Sequence, residues 1–184
     1  MTAPIIVVSG PSGAGKTTVG RLVAATFDPG VHLRMDVFMP FVVNGWIEPW
    51  LAESAHQNHV LGGAAAAAAI QFAEGGYTVV MDGHVFPDGL EGLTQWCVRR
   101  GVPLHYAVLR PDLPTCMSRV ARRELREPDD PESYARLHAR YCDLGAREVN
   151  VIDAPGTPEE VATALLSAFA DGRLVANPAA SRGT

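Results

Sequence analysis

The 184 residues carry 47% hydrophobic and 19% charged side chains, enough to bury one substantial core and too few for two full-sized domains. Fifteen Lys and Arg against twenty Asp and Glu leave a formal charge of −5, so the overall basic field on which non-specific nucleic-acid binding depends is missing. The longest apolar run, 62–70, is mostly alanine and far short of the ~20 residues a membrane span needs. Residues 1–4 bring no basic leader ahead of the short apolar stretch 5–8. Cys97, Cys116 and Cys142 are widely spaced and form no C-x-x-C pair, which suits reduced, mostly buried thiols better than a disulfide frame. The expectation is a cytoplasmic protein with neither membrane nor nucleic acid as partner.

In chain order, an apolar strand at Ile5–Ser9 runs through a glycine-rich turn into a helix over 15–27, and a second strand over 31–35 ends beside Asp36. Residues 38–54, with Pro40, Gly45, Trp46, Pro49 and Trp50, make a connection longer than compact domains usually keep without a use. A substrate-binding region over about 38–62 is expected there. A helix over 54–74, packed closely through its alanines, leads to a strand over 77–81 and a helix over 89–100. A strand at Leu104–Leu109 precedes helices over 112–125 and 131–144, and the charged, proline-bearing residues 126–131 between them fit a lid over about 119–137. A strand over 149–152 leads to a helix over 158–169, where Thr157, Pro158 and Glu160 have the pattern of a capping box. Residues 171–184 have little to bury and read as a flexible tail. The alternation predicts an α/β fold in one domain over 1–170: a three-layer, doubly wound, five-stranded parallel sheet.

Gly10-Pro11-Ser12-Gly13-Ala14-Gly15-Lys16-Thr17 matches the P-loop pattern at every specified position, between a strand and an amphipathic helix. Its glycines let successive N–H groups curl toward phosphate oxygens, and the helix start adds positive dipole. A turn that binds nothing has no need of a lysine followed by a hydroxyl. Lys16 is placed for the β- and γ-phosphates and Thr17 for Mg²⁺, with Ser12, Ala14 and Thr18 completing the cradle for ATP.

Two carboxylates follow strands. Asp82 ends an apolar run and is the candidate to hold Mg²⁺ or orient substrate, although Asp82-Gly83 is also a good turn pair. Asp36 should face the same cleft, because ligands of open α/β sheets sit at the carboxyl ends of strands. One carboxylate would serve the metal and the other an acceptor hydroxyl. Arg119, Arg122, Arg123 and Arg126 share one helix face, which is either a solvated surface or a lid that brings at least one guanidinium onto phosphate. Phe38, Trp46, Trp50, His56, Asn58, His59 and His84 are expected to contact substrate; the spacing of the histidines lacks the further ligands of a zinc site.

With these residues the chain resembles the small P-loop kinases of the adenylate, shikimate and gluconate kinase type, and more narrowly the chloramphenicol phosphotransferase-like group and bacterial "AAA family ATPase" relatives. The resemblance covers about residues 4–170 and implies a P-loop NTPase of nucleoside-monophosphate-kinase type with a small helical lid. It implies transfer of the γ-phosphoryl of ATP to a hydroxyl of an antibiotic-like or metabolic small molecule, with Asp36 as base and Arg119 and Arg123 as lid arginines. It also implies an adenine-facing loop at Asp153-Ala154-Pro155-Gly156-Thr157, giving Pro155 and Gly156 as nucleotide contacts. A nucleoside or nucleotide kinase and a non-kinase ATP-binding switch stay as alternatives, and the acceptor and any homo-oligomer stay open.

Overall fold

Strand β1 (Ile5–Ser9) is buried along its whole length because both of its faces are covered. Side chains alternate across a strand, so Ile5 and Val7 pack with Val79, Met81 and Tyr106 on one side, while Ile6 and Val8 pack with Val80, Ala107 and Leu109 on the other. A computed structural model describes residues 2–122, 131–153 and 156–176. Its sheet adds β2 (Gly30–Arg34), β3 (Thr78–Asp82), β4 (Leu104–Leu109) and β5 (Val151–Ile152) in the order β2-β3-β1-β4-β5, every pair parallel. Helix α1 (Lys16–Ala24) lies on one face with α6 (Pro158–Ala170); α2 (Ala55–Glu74) and α3 (Pro87–Arg100) lie on the other. Ala65, Ala69 and Ala73 are fully buried, so the alanine run of α2 is the stripe that seats that helix close to the sheet. The three-layer, doubly wound parallel sheet is therefore as expected.

Because β1 pairs with β3 on one side and β4 on the other, the connections diverge at its carboxyl end, and the crevice at that switch point holds the P-loop. Between β4 and β5 run α4 (Leu113–Ala121) and α5 (Pro131–Ala139).

Several boundaries differ from the sequence-based expectation for identifiable reasons. Strand β2 stops at Arg34, which pairs with Asp82, the last residue of β3; with no partner strand beyond, Met35–Phe41 turn into a 3₁₀ helix that carries Asp36. Helix α5 ends at Ala139, and Tyr141 then turns into the core, fully buried. Strand β5 keeps only two residues because Gly145–Asn150 wind into a 3₁₀ turn, held by Glu148, which accepts from both terminal nitrogens of Arg110 at 2.9 Å and from Leu144 N at 3.0 Å. That guanidinium holds the Glu148 carboxyl below its ordinary pKa range. The first residues of the expected tail are packed instead: Leu174 is fully buried, Tyr106 N donates to its carbonyl, and Ala176 N donates to Leu104 O, covering the part of β4 that the short β5 leaves unpaired. Residues 177–184 lie outside the described residues.

The capping box of α6 forms as its sequence pattern predicts, with Thr157 Oγ1 accepting from Glu160 N at 3.3 Å and Glu160 Oε2 accepting from Thr157 N at 2.8 Å. Thr157→Ala is expected to lower the unfolding free energy by about 1 kcal/mol, read from the shift of a urea midpoint at constant slope.

Candidate active site at the carboxyl ends of the strands

The P-loop is built by close backbone approaches that only glycine allows. Gly10 (φ 143°) and Gly13 (φ 79°) have left-handed backbones, and an added Cβ would lie 2.2 Å from the Leu109 carbonyl oxygen and 2.3 Å from that of Cys116, respectively. The second approach fastens the loop to α4. Lys16 Nζ donates to the carbonyls of Gly10 at 2.9 Å and Pro11 at 3.0 Å, which holds the ammonium across the loop's mouth. Burial pushes the Cys116 thiol above its ordinary pKa despite the Arg119 and Lys16 charges nearby, so it is an inert neighbour of the loop.

The two carboxylates have different surroundings. Asp82 is buried, its Oδ2 accepts from Thr17 Oγ1 at 2.7 Å, and its Oδ1 accepts from His32 Nε2 at 2.8 Å. Asp36 is half exposed and accepts from its neighbour Arg34, with Nε to Oδ1 at 3.0 Å and Nη2 to Oδ2. The Asp36 pair raises the Arg34 pKa further, so the guanidinium stays charged beside it. A carboxylate has about four lone-pair sites, and a side-on guanidinium uses two of them, so Asp36 can still accept a hydroxyl proton.

Among the described residues of the predicted arginine stripe, Arg119 lies inside α4 and Arg122 just past its end. Arg119 Nη1 lies 3.4 Å from Gly13 O and 3.5 Å from Ala14 O, at the edge of a cavity of about 350 Å³. Gly13, Gly15, Thr18, Gly156 and Pro158 also line that cavity, so Gly156 and the first residue of α6 face the P-loop. Arg122 is the exposed C-cap of α4, while Arg123, Arg126 and Pro155 fall outside the described residues.

In the long connection, the side chains predicted to touch substrate divide. Asn58 Nδ2 donates to the Pro49 carbonyl and to Ser54 Oγ, both at 2.8 Å, so it shapes the loop from within. Gln57, which carried no expectation, clamps both backbone groups of Ile47. Phe38 packs on the core beside Phe41, with ring centroids 5.7 Å apart. Trp46, Trp50 and His59 are exposed, and His56 lines a second, open cavity of about 290 Å³ with Val42, Ile47 and Val60. Among the described residues, no three His, Cys, Asp or Glu side chains converge as a metal site on their own.

Sequence reasoning missed His32, Ser9 and Tyr141. Ser9 Oγ donates to the Val85 carbonyl at 2.8 Å and accepts from Val85 N at 3.0 Å, so the Tyr141 hydroxyl, 3.1 Å away, is the donor of that pair. Burial raises the Tyr141 pKa and keeps this proton in place. The network fixes the turn carrying exposed His84, and Phe86 stacks on Tyr141 at 4.7 Å with the Arg140 guanidinium 3.4 Å from the Phe86 ring centroid. The only sequence signal for His32 was its place with Arg34 on one side of β2, two polar residues at period two in an otherwise apolar strand.

A family described as an AAA domain matches residues 5–143. Among curated proteins, none matches. Solved structures share the fold at low identity. A shikimate kinase from Acinetobacter baumannii in complex with shikimate has a TM-score of 0.62 and 20% identity, over 93% of this chain and 95% of that one. The tunicamycin resistance protein of Deinococcus radiodurans scores 0.63 at 20% identity over 96% and 99%. The Mycobacterium tuberculosis APS kinase CysC in complex with AMPPNP and APS scores 0.67 at 14% identity over 92% and 98%. Since the family's pattern runs from β1 through the P-loop and past α5, the chain belongs to this AAA-domain family and has a P-loop NTPase fold of the kinase type.

Proposed function

We propose that the protein transfers the γ-phosphoryl group of ATP, as its Mg²⁺ complex, to a hydroxyl of a small molecule. The observation that carries this reading is the 2.7 Å hydrogen bond between Thr17 of the P-loop and Asp82 at the end of β3. It sets two hard oxygen donors side by side at the phosphate cradle, the ligand chemistry that Mg²⁺ takes in such sites, where phosphates and water supply the remaining positions. Bound there, the cation would neutralise charge on the transferring group. Lys16 and the P-loop N–H groups hold the phosphates, the cavity beside Arg119 and Gly156 takes the nucleoside part, and Arg119, with Arg123, adds charge as transfer proceeds. Asp36 accepts the proton of the acceptor hydroxyl. Fold relatives described as a shikimate kinase and as an APS kinase with AMPPNP bound support a nucleotide and a small acceptor.

The acceptor side supports a partly apolar alcohol, antibiotic-like or metabolic, because half-buried Phe38 follows Asp36 by two residues, Phe41, Trp46 and Trp50 are exposed in the same connection, and exposed His84 offers a polar contact. A coupled assay of ADP release with Mg²⁺-ATP and a panel of small alcohols tests this. Acceptor-dependent turnover is the expected result. Slow hydrolysis indifferent to every alcohol, together with a nucleotide-dependent protein partner, would instead mark a switch. Arg119→Ala is expected to lower kcat about 10²-fold while changing AMPPNP affinity far less, since the guanidinium serves charge that develops during transfer.

A further inference from the structure

Gly20 lies at the middle of α1, fully inside a helix where alanine is the better helix former. The neighbouring strand gives the reason. A Cβ on residue 20 would stand 3.1 Å from His32 Nε2 and 3.3 Å from its Cδ2, closer than ordinary van der Waals contact. The space kept by Gly20 is occupied by an imidazole whose side chain is only 16% exposed and whose Nε2 is 2.8 Å from Asp82 Oδ1. A carboxylate only accepts, so Nε2 carries the proton. Asp82 thus has a donor on each oxygen, His32 on one and Thr17 on the other. A lone donor would leave the carboxylate free to swivel about its broad terminal torsion; two donors on opposite oxygens fix its plane. With its proton turned to Asp82, the Thr17 hydroxyl keeps its lone pairs for a cation.

We propose that His32 is a positioning residue for the metal half of Mg²⁺-ATP binding: through its hydrogen bond to Asp82 it holds the Asp82–Thr17 pair in the orientation that receives the cation, and Gly20 exists to admit it. The role rests on the reading that Thr17 and Asp82 hold Mg²⁺. His32 touches neither cation nor nucleotide, and acts through Asp82. Partners of this kind, one shell out from a metal ligand, typically change metal affinity or activity by 10–100-fold when removed.

The test is isothermal titration of the full chain with AMPPNP, once with Mg²⁺ and once with EDTA, with a melting curve for each variant. His32→Ala is expected to reduce the affinity gained from Mg²⁺ by about 10–100-fold while leaving binding in EDTA as in the wild type. His32→Gln, whose amide nitrogen reaches about as far as Nε2, should restore most of the gain, and the shorter His32→Asn should not. Gly20→Ala leaves every donor in place and favours the helix, yet should reduce the gain in the same direction by crowding the imidazole. An equal loss with and without Mg²⁺, or a Mg²⁺ gain that survives in both His32→Ala and His32→Asn, overturns the role. If His32→Ala does not fold, the contrast between His32→Gln and His32→Asn decides in the same way. A wild-type chain whose AMPPNP binding ignores Mg²⁺ overturns the reading of the site and this role with it; a wild-type gain that the variants keep overturns the role alone.

Discussion

Lys16→Ala is expected to cut phosphoryl transfer by about 10²–10³-fold, the loss usual for one preorganised charge or donor aimed at developing negative charge. The ammonium is the one P-loop side-chain cation within the cradle, held across its mouth by the carbonyls of Gly10 and Pro11 at 2.9 and 3.0 Å. Those two bonds are local to the loop. The loop's shape depends on Gly10 against Leu109 and Gly13 against Cys116, which the substitution leaves alone, so the melting temperature should change little. An ADP-release assay beside a thermal melt separates the two effects. Unchanged turnover in a folded variant would remove the lysine, and the P-loop assignment with it, from the reaction.

Asp36→Asn is expected to reduce transfer to the acceptor by about 10²–10⁴-fold, as for a positioned general base, while leaving nucleotide affinity within a few-fold. The substitution keeps the size of the side chain and one acceptor oxygen but removes the charge. Its effect should stay on the acceptor side because Asp36 follows β2 and is joined to Arg34, whereas the pair proposed to hold the metal is Thr17 and Asp82. Titration with AMPPNP and the ADP assay are the two measurements required. If Asp36→Asn abolishes nucleotide binding and Asp82→Asn spares it, the two carboxylates have exchanged roles. If neither substitution alters turnover with a verified acceptor, phosphoryl transfer by this machinery is excluded.

The parts of the site that could be read before any fold was known are those written in adjacent residues. The P-loop is one contiguous run whose glycines, lysine and hydroxyl each have a separate physical reason, and the capping box of α6 is complete within Thr157 to Glu160. The apolar run of β1 and the alanines of α2 announced burial through period and composition; β1 is buried throughout, while in α2 Ala65, Ala66, Ala69 and Ala73 form the buried face and Ala64 and Ala67 stay exposed. Asp82 was legible as a strand-end residue and is the last residue of β3, whereas Asp36, expected at the end of β2, lies two residues past it in the 3₁₀ helix.

The tertiary structure decided which of these groups meet. β1 and β2 are successive in the chain yet do not pair; β3 lies between them, and only that order brings His32 to Asp82 across 50 positions and Thr17 to Asp82 across 65. Tyr141 reaches Ser9 across 132 positions by ending its helix early, a choice made by the energy of burying its ring against Phe86 and visible in no local pattern. The 3₁₀ turn before β5 follows from the Arg110–Glu148 pair, and the packing of Leu174 from the edge of β4 that a two-residue β5 leaves open. Local propensity and hydrophobic period act within a few residues and set the elements; the order of the strands and the demand that buried polar groups find partners act across the whole chain, and those set the site.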